Sequence, residues 1–135
     1  MRIVGGEWRG RPIDSPKGRD VSRPTTDRVR EAIASMLESA LSEGIEGSRV
    51  LDAFAGSGAL GLEVLSRGAE HAVFFDLDRS AAALVKRNLA KLSCAPARFQ
   101  VMCGDVIASA RRGRVPGGPV SYTHLRAHET RHDLV

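Results

Sequence analysis

The segment Val50-Leu51-Asp52-Ala53-Phe54-Ala55-Gly56-Ser57-Gly58-Ala59-Leu60-Gly61 constrains the fold more than any other part of this chain. A short apolar run ends in a carboxylate. Small residues and glycines follow, and a helical pattern then begins. Strand, tight turn and helix in immediate succession are how an open α/β sheet builds a ligand pocket at the carboxyl end of its first strand. Gly56, Gly58 and Gly61 spell GxGxxG, with Asp76 about twenty residues beyond. That spacing alone also fits a dinucleotide-binding module.

The neighbouring segments repeat the alternation. Residues 49–54 read as the first strand and 58–67 as a helix with Leu60, Val64 and Leu65 inward, closed by Gly68. Residues 71–77 are almost wholly apolar, as a strand buried on both faces must be. Asp78 or Ser80 caps a helix whose Ala81, Leu84, Val85, Leu89 and Leu92 recur at helical spacing, and residues 98–102 form a third strand ahead of Gly104-Asp105. This order predicts a parallel sheet with right-handed crossovers. Upstream, Pro24-Thr25-Thr26-Asp27 reads as a helix start with a capping threonine and an acid near the positive end of the dipole. Val29, Ile33, Met36, Leu37, Ala40 and Leu41 trace one face of that helix to about Ser42. Residues 2–4, Gly5-Gly6 and residues 7–9 predict a hairpin with a glycine turn.

A length of 135 residues bounds the chain to one domain, and its hydrophobic (42%) and charged (27%) fractions are those of ordinary soluble proteins. The aromatic fraction of 4% argues against a large stacking surface for single-stranded nucleic acid. The formal charge is +4, and the excess lies ahead of residue 31, where Arg2, Arg9, Arg11, Lys17, Arg19, Arg23, Arg28 and Arg30 outnumber Glu7, Asp14, Asp20 and Asp27. A basic, arginine-rich leading segment points to a phosphate-bearing partner, although a solvated arm has the same composition. Cys94 and Cys103 form no CxxC and are expected to be reduced thiols. No apolar run approaches membrane-spanning length, and Gly5, Gly6 and Glu7 stand where a signal peptide needs an apolar core, so a cytoplasmic location is expected.

Two carboxylates separate the possible ligands. A dinucleotide lays its diphosphate over the glycine loop, and a carboxylate at Asp52 repels it. S-adenosylmethionine carries an ammonium, a carboxylate and a sulfonium instead, and Asp52 suits the ammonium. Asp76, at the end of the second strand, is placed for the ribose hydroxyls, and Asp105, after the third, for the adenine amino group. Leu77 and Val106 flank the adenine in this reading, and the backbone of Gly56 to Gly58 approaches the cofactor closely because no Cβ intervenes. Any single aspartate in such a place serves equally as a helix cap, the role expected of Asp78.

Four stretches together resemble one family: residues 2–11 (RIVGGEWRGR), 23–31 (RPTTDRVRE), 52–61 (DAFAGSGALG) and 65–69 (LSRGA). They are similar to the bacterial RsmD family, which methylates the exocyclic N2 of a guanine in small-subunit ribosomal RNA. The resemblance covers about residues 1–112. It implies a Rossmann-like class I methyltransferase fold with S-adenosylmethionine as cofactor. It also implies a methionine-side loop of Asp52, Phe54, Ala55, Gly56, Ser57 and Gly58, with Thr26 and Arg28 in the segment closing over the cofactor. Arg2, Trp8, Arg9 and Arg11 of the basic hairpin are implied to dock RNA, with packing against the domain the main expectation for Trp8. The implied partner is small-subunit ribosomal RNA or the assembling subunit, engaged by a monomer.

The family's (Asn/Asp)-Pro-Pro-(Phe/Tyr) motif does not occur, because the chain has no Pro-Pro pair and its one asparagine is Asn88. The expected organisation is therefore a basic arm (1–24), a cofactor-binding half-domain (25–112) whose parallel sheet stops after three strands with an edge exposed, and a tail (113–135) foreign to the family. The end of the tail resembles adapter-derived or out-of-frame translation and is expected to be disordered. No metal site is expected: His124, His128 and His132 recur every four residues, but no cysteine or supporting shell accompanies them. Two other functions fit parts of the pattern, an NAD-type dinucleotide module and a non-enzymatic RNA-binding protein using the basic arm.

Overall fold

The computed structural model describes residues 1–15, 24–53, 55–105, 108 and 123–125. Its elements run α1 (Pro24–Ala40), β1 (Arg49–Asp52), α2 (Ala59–Ser66), β2 (His71–Asp76), α3 (Arg79–Lys91), a short 3-10 turn (Pro96–Arg98), β3 (Phe99–Cys103) and β4 (Thr123–Leu125). The four strands form one sheet in the order β3-β2-β1-β4. All three pairings are parallel, with Asp52 opposite Phe74 and Asp76 opposite Cys103.

Alternation along the strands divides the core between the two faces of the sheet. Val50, Ala72 and Phe74 join a large cluster with Ile3, Trp8, Leu37, Leu62, Leu65 and Leu89 from the arm and all three helices. Leu51, Ala53, Val73 and Phe75 form a smaller cluster on the other face, with Met102 packed against it. Helix α2 is buried from Leu60 through Ser66, so its apolar run reflects enclosure rather than amphipathicity.

Three expectations need correction. The sheet does not stop at three strands: Thr123–Leu125 of the tail pairs with Val50–Asp52 of β1. Parallel pairing is made through main-chain groups, so a three-residue strand without an apolar pattern can add to an open edge. His124 lies in that strand, so the helical spacing of the tail histidines does not apply to it; His128 and His132 fall outside the described residues. The amino-terminal arm is not a hairpin closed at Gly5-Gly6. Its pairing is antiparallel between Arg2 and Pro12, with the Ile3 N–H on the Arg11 carbonyl (3.0 Å) and the Ile13 N–H on the Met1 carbonyl (2.9 Å), and residues 5–10 form a wide turn between. Finally, α1 buries Arg30, Ala34 and Leu37, whereas Val29 and Met36 point to solvent. The inward face is rotated because it carries an arginine, which no apolar periodicity reveals.

Arg30 turns inward because Glu63 of α2 is fully buried beneath it. The Glu63 carboxylate accepts from the N–H groups of Val4 (3.0 Å) and Gly5 (2.8 Å) and from Arg67 Nε (3.0 Å), and Arg30 Nε stands 3.6 Å away. Arg30 also donates to the Arg2 carbonyl and to Asp27 Oδ1. The Ser66 hydroxyl donates to the Gly5 carbonyl (2.6 Å) and accepts from the Trp8 N–H (3.0 Å). These bonds clasp the arm to α1 and α2.

Candidate functional site

The carboxyl ends of β1, β2 and β3 converge, as a parallel sheet requires, and the loop after β1 runs across them. Gly58 ends that loop at φ +83°, a left-handed conformation that glycine adopts without steric cost, and starts α2. Gly61, one turn later, lets α2 lie against the sheet: a Cβ there would stand 2.4 Å from the Phe74 ring. The two glycines therefore do different jobs, one conformational and one of close packing.

A cleft of about 920 Å³ opens beside this loop. Gly56 and Asp76 form its floor, Asp78, Ser80, Ala81, Leu84 and Arg87 of the α3 side form one wall, and Asp14 and Ser15 of the arm complete it. Asp76 is the hub. Its Oδ2 accepts from the Gly56 N–H and its Oδ1 from the Asp78 N–H, both at 2.9 Å. Each carboxylate oxygen has a second lone pair, so the group still has acceptor capacity toward a ligand.

Asp78 caps α3 through the Ser80 N–H at 2.9 Å, the role expected of it. That bond to the Ser80 backbone, reinforced by the Ser80 hydroxyl, holds its carboxyl below the usual carboxylate range. On the arm side Asp14 pairs with Lys91 (2.9 Å), and this hydrogen bond lowers its pKa in the same way.

The three strand-end aspartates are not equivalent. Asp52 is the last residue of β1 but is only 2% exposed, and its Oδ2 accepts from the Gly61 N–H at 3.3 Å under the loop. Asp105 follows β3, is exposed, and accepts from the Ala108 N–H at 3.2 Å. Of the three, only Asp76 lines the cleft. Leu77 beside it is 69% exposed, an apolar side chain that the protein itself leaves uncovered. Ala55 donates its N–H to the Phe75 carbonyl (2.9 Å), and Ser57 is buried. Phe54 and Val106 lie outside the described residues. Thr26 falls in the first turn of α1. Arg28 is exposed on the same helix and does not line the cleft.

The arm residues implied to meet RNA also divide. Trp8 is only 6% exposed and packs under the Arg98 guanidinium, 5.5 Å from its ring centroid, so its ring is no surface platform for a base. Arg2, Arg9 and Arg11 are exposed; Arg2 pairs with Asp27, and Arg11 donates to the Lys91 carbonyl at 2.7 Å.

The most informative residue that sequence reasoning passed over is Asn88. It is fully buried in α3, yet donates to the Ser57 carbonyl behind the glycine loop at 2.9 Å. A lone polar residue at an inward position of an amphipathic helix was the available signal.

The loop is open at Gly56. A Cβ built on Gly56 meets no heavy atom within 4 Å, although φ is +58°. The peptide there borders open space rather than packed protein. Comparison with known proteins shows the family. The family described as "Conserved hypothetical protein 95" matches residues 1–118. The chain belongs to this family, that of RsmD. Ribosomal RNA small subunit methyltransferase D of Escherichia coli K12 is 45% identical over 98 residues, 73% of this chain and 47% of the relative. The Haemophilus influenzae protein of the same name is 41% identical over 104 residues, 76% of this chain and 50% of the relative. Among solved structures, yhhF of Escherichia coli superposes with a TM-score of 0.66 at 37% identity, covering 80% of this chain and 54% of that one. The hypothetical protein TTHA0928 of Thermus thermophilus gives 0.66 at 32% identity over 84% of this chain and 60% of that one. The chain spans about half the length of the curated relatives it matches. The fold is the Rossmann-like α/β fold of class I methyltransferases, and among the described residues no helix is long and apolar enough to cross a membrane.

Proposed function

We propose that this RsmD-family chain forms the S-adenosylmethionine side of an enzyme that methylates the exocyclic N2 of a guanine in small-subunit ribosomal RNA. The observation that carries the reading is Asp76. A carboxylate at the end of β2, tied by the Gly56 N–H to the glycine loop, opens onto a cleft large enough for a nucleoside. Asp76 takes the ribose hydroxyls, Leu77 lies along the adenine, and Asp105 accepts from its amino group. The open face of Gly56 admits the methionine moiety. Asp52, buried behind the loop, acts on the ammonium through the field of its carboxylate and by holding the start of α2. Ala55, Ser57 and Gly58 shape the same loop, Phe54 is assigned to the methionine side by the resemblance to the family, and Thr26 and Arg28 belong to the segment that closes over it.

When bound, S-adenosylmethionine supplies an electrophilic methyl group. The work of this chain is binding and orientation, because a guanine amine is a weak nucleophile and must be held in line with the methyl. The side chains that hold the amine belong to the (Asn/Asp)-Pro-Pro-(Phe/Tyr) motif, which these 135 residues do not contain. The chain by itself is thus proposed to bind the cofactor weakly and to transfer no methyl group. Arg2, Arg9 and Arg11 meet RNA phosphates, which fix register without reading sequence. The partner is the ribosomal RNA or the assembling subunit, met by a monomer in the cytoplasm.

Calorimetric titration of the chain with S-adenosylmethionine, S-adenosylhomocysteine and NAD tests the cofactor. Heat with the first two and none with NAD is expected, with affinity reduced in Asp76→Ala. Binding of NAD alone overturns the reading. Methyl transfer to ribosomal RNA by this chain alone would contradict its proposed inactivity.

A further inference from the structure

Asn88 is the one polar side chain of α3 that is completely buried, and it makes three hydrogen bonds to two distant segments. Its Oδ1 accepts from the Asp14 N–H at 2.7 Å, and its Nδ2 donates to the Asp14 carbonyl at 3.1 Å and to the Ser57 carbonyl at 2.9 Å. A side-chain amide has one carbonyl and two N–H donors, and all are engaged here. Asparagine is a poor helix former, so helix propensity does not account for it in a helix otherwise built largely of alanine, leucine, lysine and arginine. Burial does not account for it either, because an apolar residue of similar size fills the space at lower desolvation cost.

The two segments it joins both reach the cleft. Asp14 lines it from the arm, and Ser57 sits between Gly56, on the cleft floor, and Gly58, which starts α2. We infer that Asn88 is a positioning residue that couples the arm to the glycine loop, so that docking of the arm and binding at the cleft stabilise one another. The coupling needs no contact between Asn88 and ligand. Withdrawing the arm leaves the amide with an unpaired carbonyl and one idle N–H in the interior, which weakens its hold on Ser57. By linkage, whatever steadies the loop steadies the arm equally. The inference rests on the cofactor reading only for the identity of the ligand.

Hydrogen exchange read by mass spectrometry tests it on the whole chain, in wild type and in Asn88→Leu, Asn88→Asp and Val73→Ala. Leucine preserves volume and removes all three bonds. Aspartate keeps the acceptor for the Asp14 N–H but faces two carbonyls. Val73 is buried on the opposite face of the sheet and serves as a control for general destabilisation. Both Asn88 variants are expected to raise exchange in residues 1–15 and 55–58 together, by roughly tenfold beyond any rise in β2. Val73→Ala is expected to raise exchange in the sheet without singling out those two segments. S-adenosylhomocysteine affinity, corrected for the folded fraction, is expected to fall roughly tenfold in Asn88→Leu and to hold in Val73→Ala. The inference is overturned if the arm and loop keep wild-type protection in Asn88→Leu, or if only one of them loses it. It is also overturned if Val73→Ala gives the same pattern. Should the wild-type chain take up no S-adenosylhomocysteine, the cofactor reading fails while the exchange pattern still decides the coupling.

Discussion

The clasp around Glu63 and the cleft around Asp76 use the same chemistry to opposite ends. Both centre on a carboxylate that accepts two main-chain N–H groups. Glu63 is fully buried and faces Arg30 and Arg67, so its charge is spent on protein. Asp76 is half-buried at the edge of an open cleft and retains acceptor capacity toward solvent. The difference lies in what covers each carboxylate, not in the residues near it in sequence. A carboxylate is a rivet where protein encloses it and a recognition group where protein stops short.

The sharpest way to break this contrast is Glu63→Ala. It strands two arginines and two arm N–H groups, and loss of one partner from a buried pair costs about 3–5 kcal/mol. The midpoint of urea denaturation should fall accordingly, and the single tryptophan, Trp8, should report arm release by a red-shifted emission. A near-normal midpoint would mean that the clasp contributes little to the fold. Gly61→Ala comes next. The methyl meets the Phe74 ring, and overpacking of this kind costs about 1–3 kcal/mol in thermal or chemical unfolding. Gly56→Ala, with open space around it but a left-handed φ, should cost about 1–2 kcal/mol and affect cofactor uptake more than Gly61→Ala does at equal stability.

Asp76→Ala should reverse the Glu63 result: a modest change in stability, with cofactor affinity reduced about 10- to 100-fold by calorimetry. Equal losses of stability from Glu63→Ala and Asp76→Ala would erase the distinction between the two regions.

Acid should loosen the arm at a smaller scale. The Lys91 partner lowers the folded-state pKa of Asp14 below its ordinary value. A depressed acid contributes stability above its unfolded pKa of about 3.9 and loses it as pH falls through the folded value. Trp8 emission should therefore be flat from neutrality to about pH 5 and shift below about pH 4. The smallest effect is expected from Arg2→Ala. Its ion pair with Asp27 is exposed, so stability should change by no more than about 0.5 kcal/mol, while any salt-dependent affinity for RNA should fall.

Much of this is legible in the sequence. The glycine loop, the order of the first three strands and the cap at Asp78 follow from local rules, because turn geometry, strand burial and capping leave marks within a few residues. The rotated face of α1 leaves none, since Arg30 turns inward to meet Glu63 from a helix more than thirty residues away. The course of the arm departs from its sequence pattern for a similar reason. Gly5-Gly6 has the composition of a hairpin turn, but the N–H of Gly5 is taken by Glu63 and the Gly5 carbonyl by Ser66. The fourth strand is illegible because its partner groups are main-chain atoms of β1, which every sequence possesses.

What the amino-acid order determined by itself was the glycine loop and the acids that end the strands, because backbone freedom, small size and charge are properties a residue carries with it. Tertiary structure alone decided which of those acids opens onto the cleft, which is sealed beneath it, and that Asn88 ties the arm to the loop. Burial and hydrogen-bond partnership depend on which distant segments arrive at the same place.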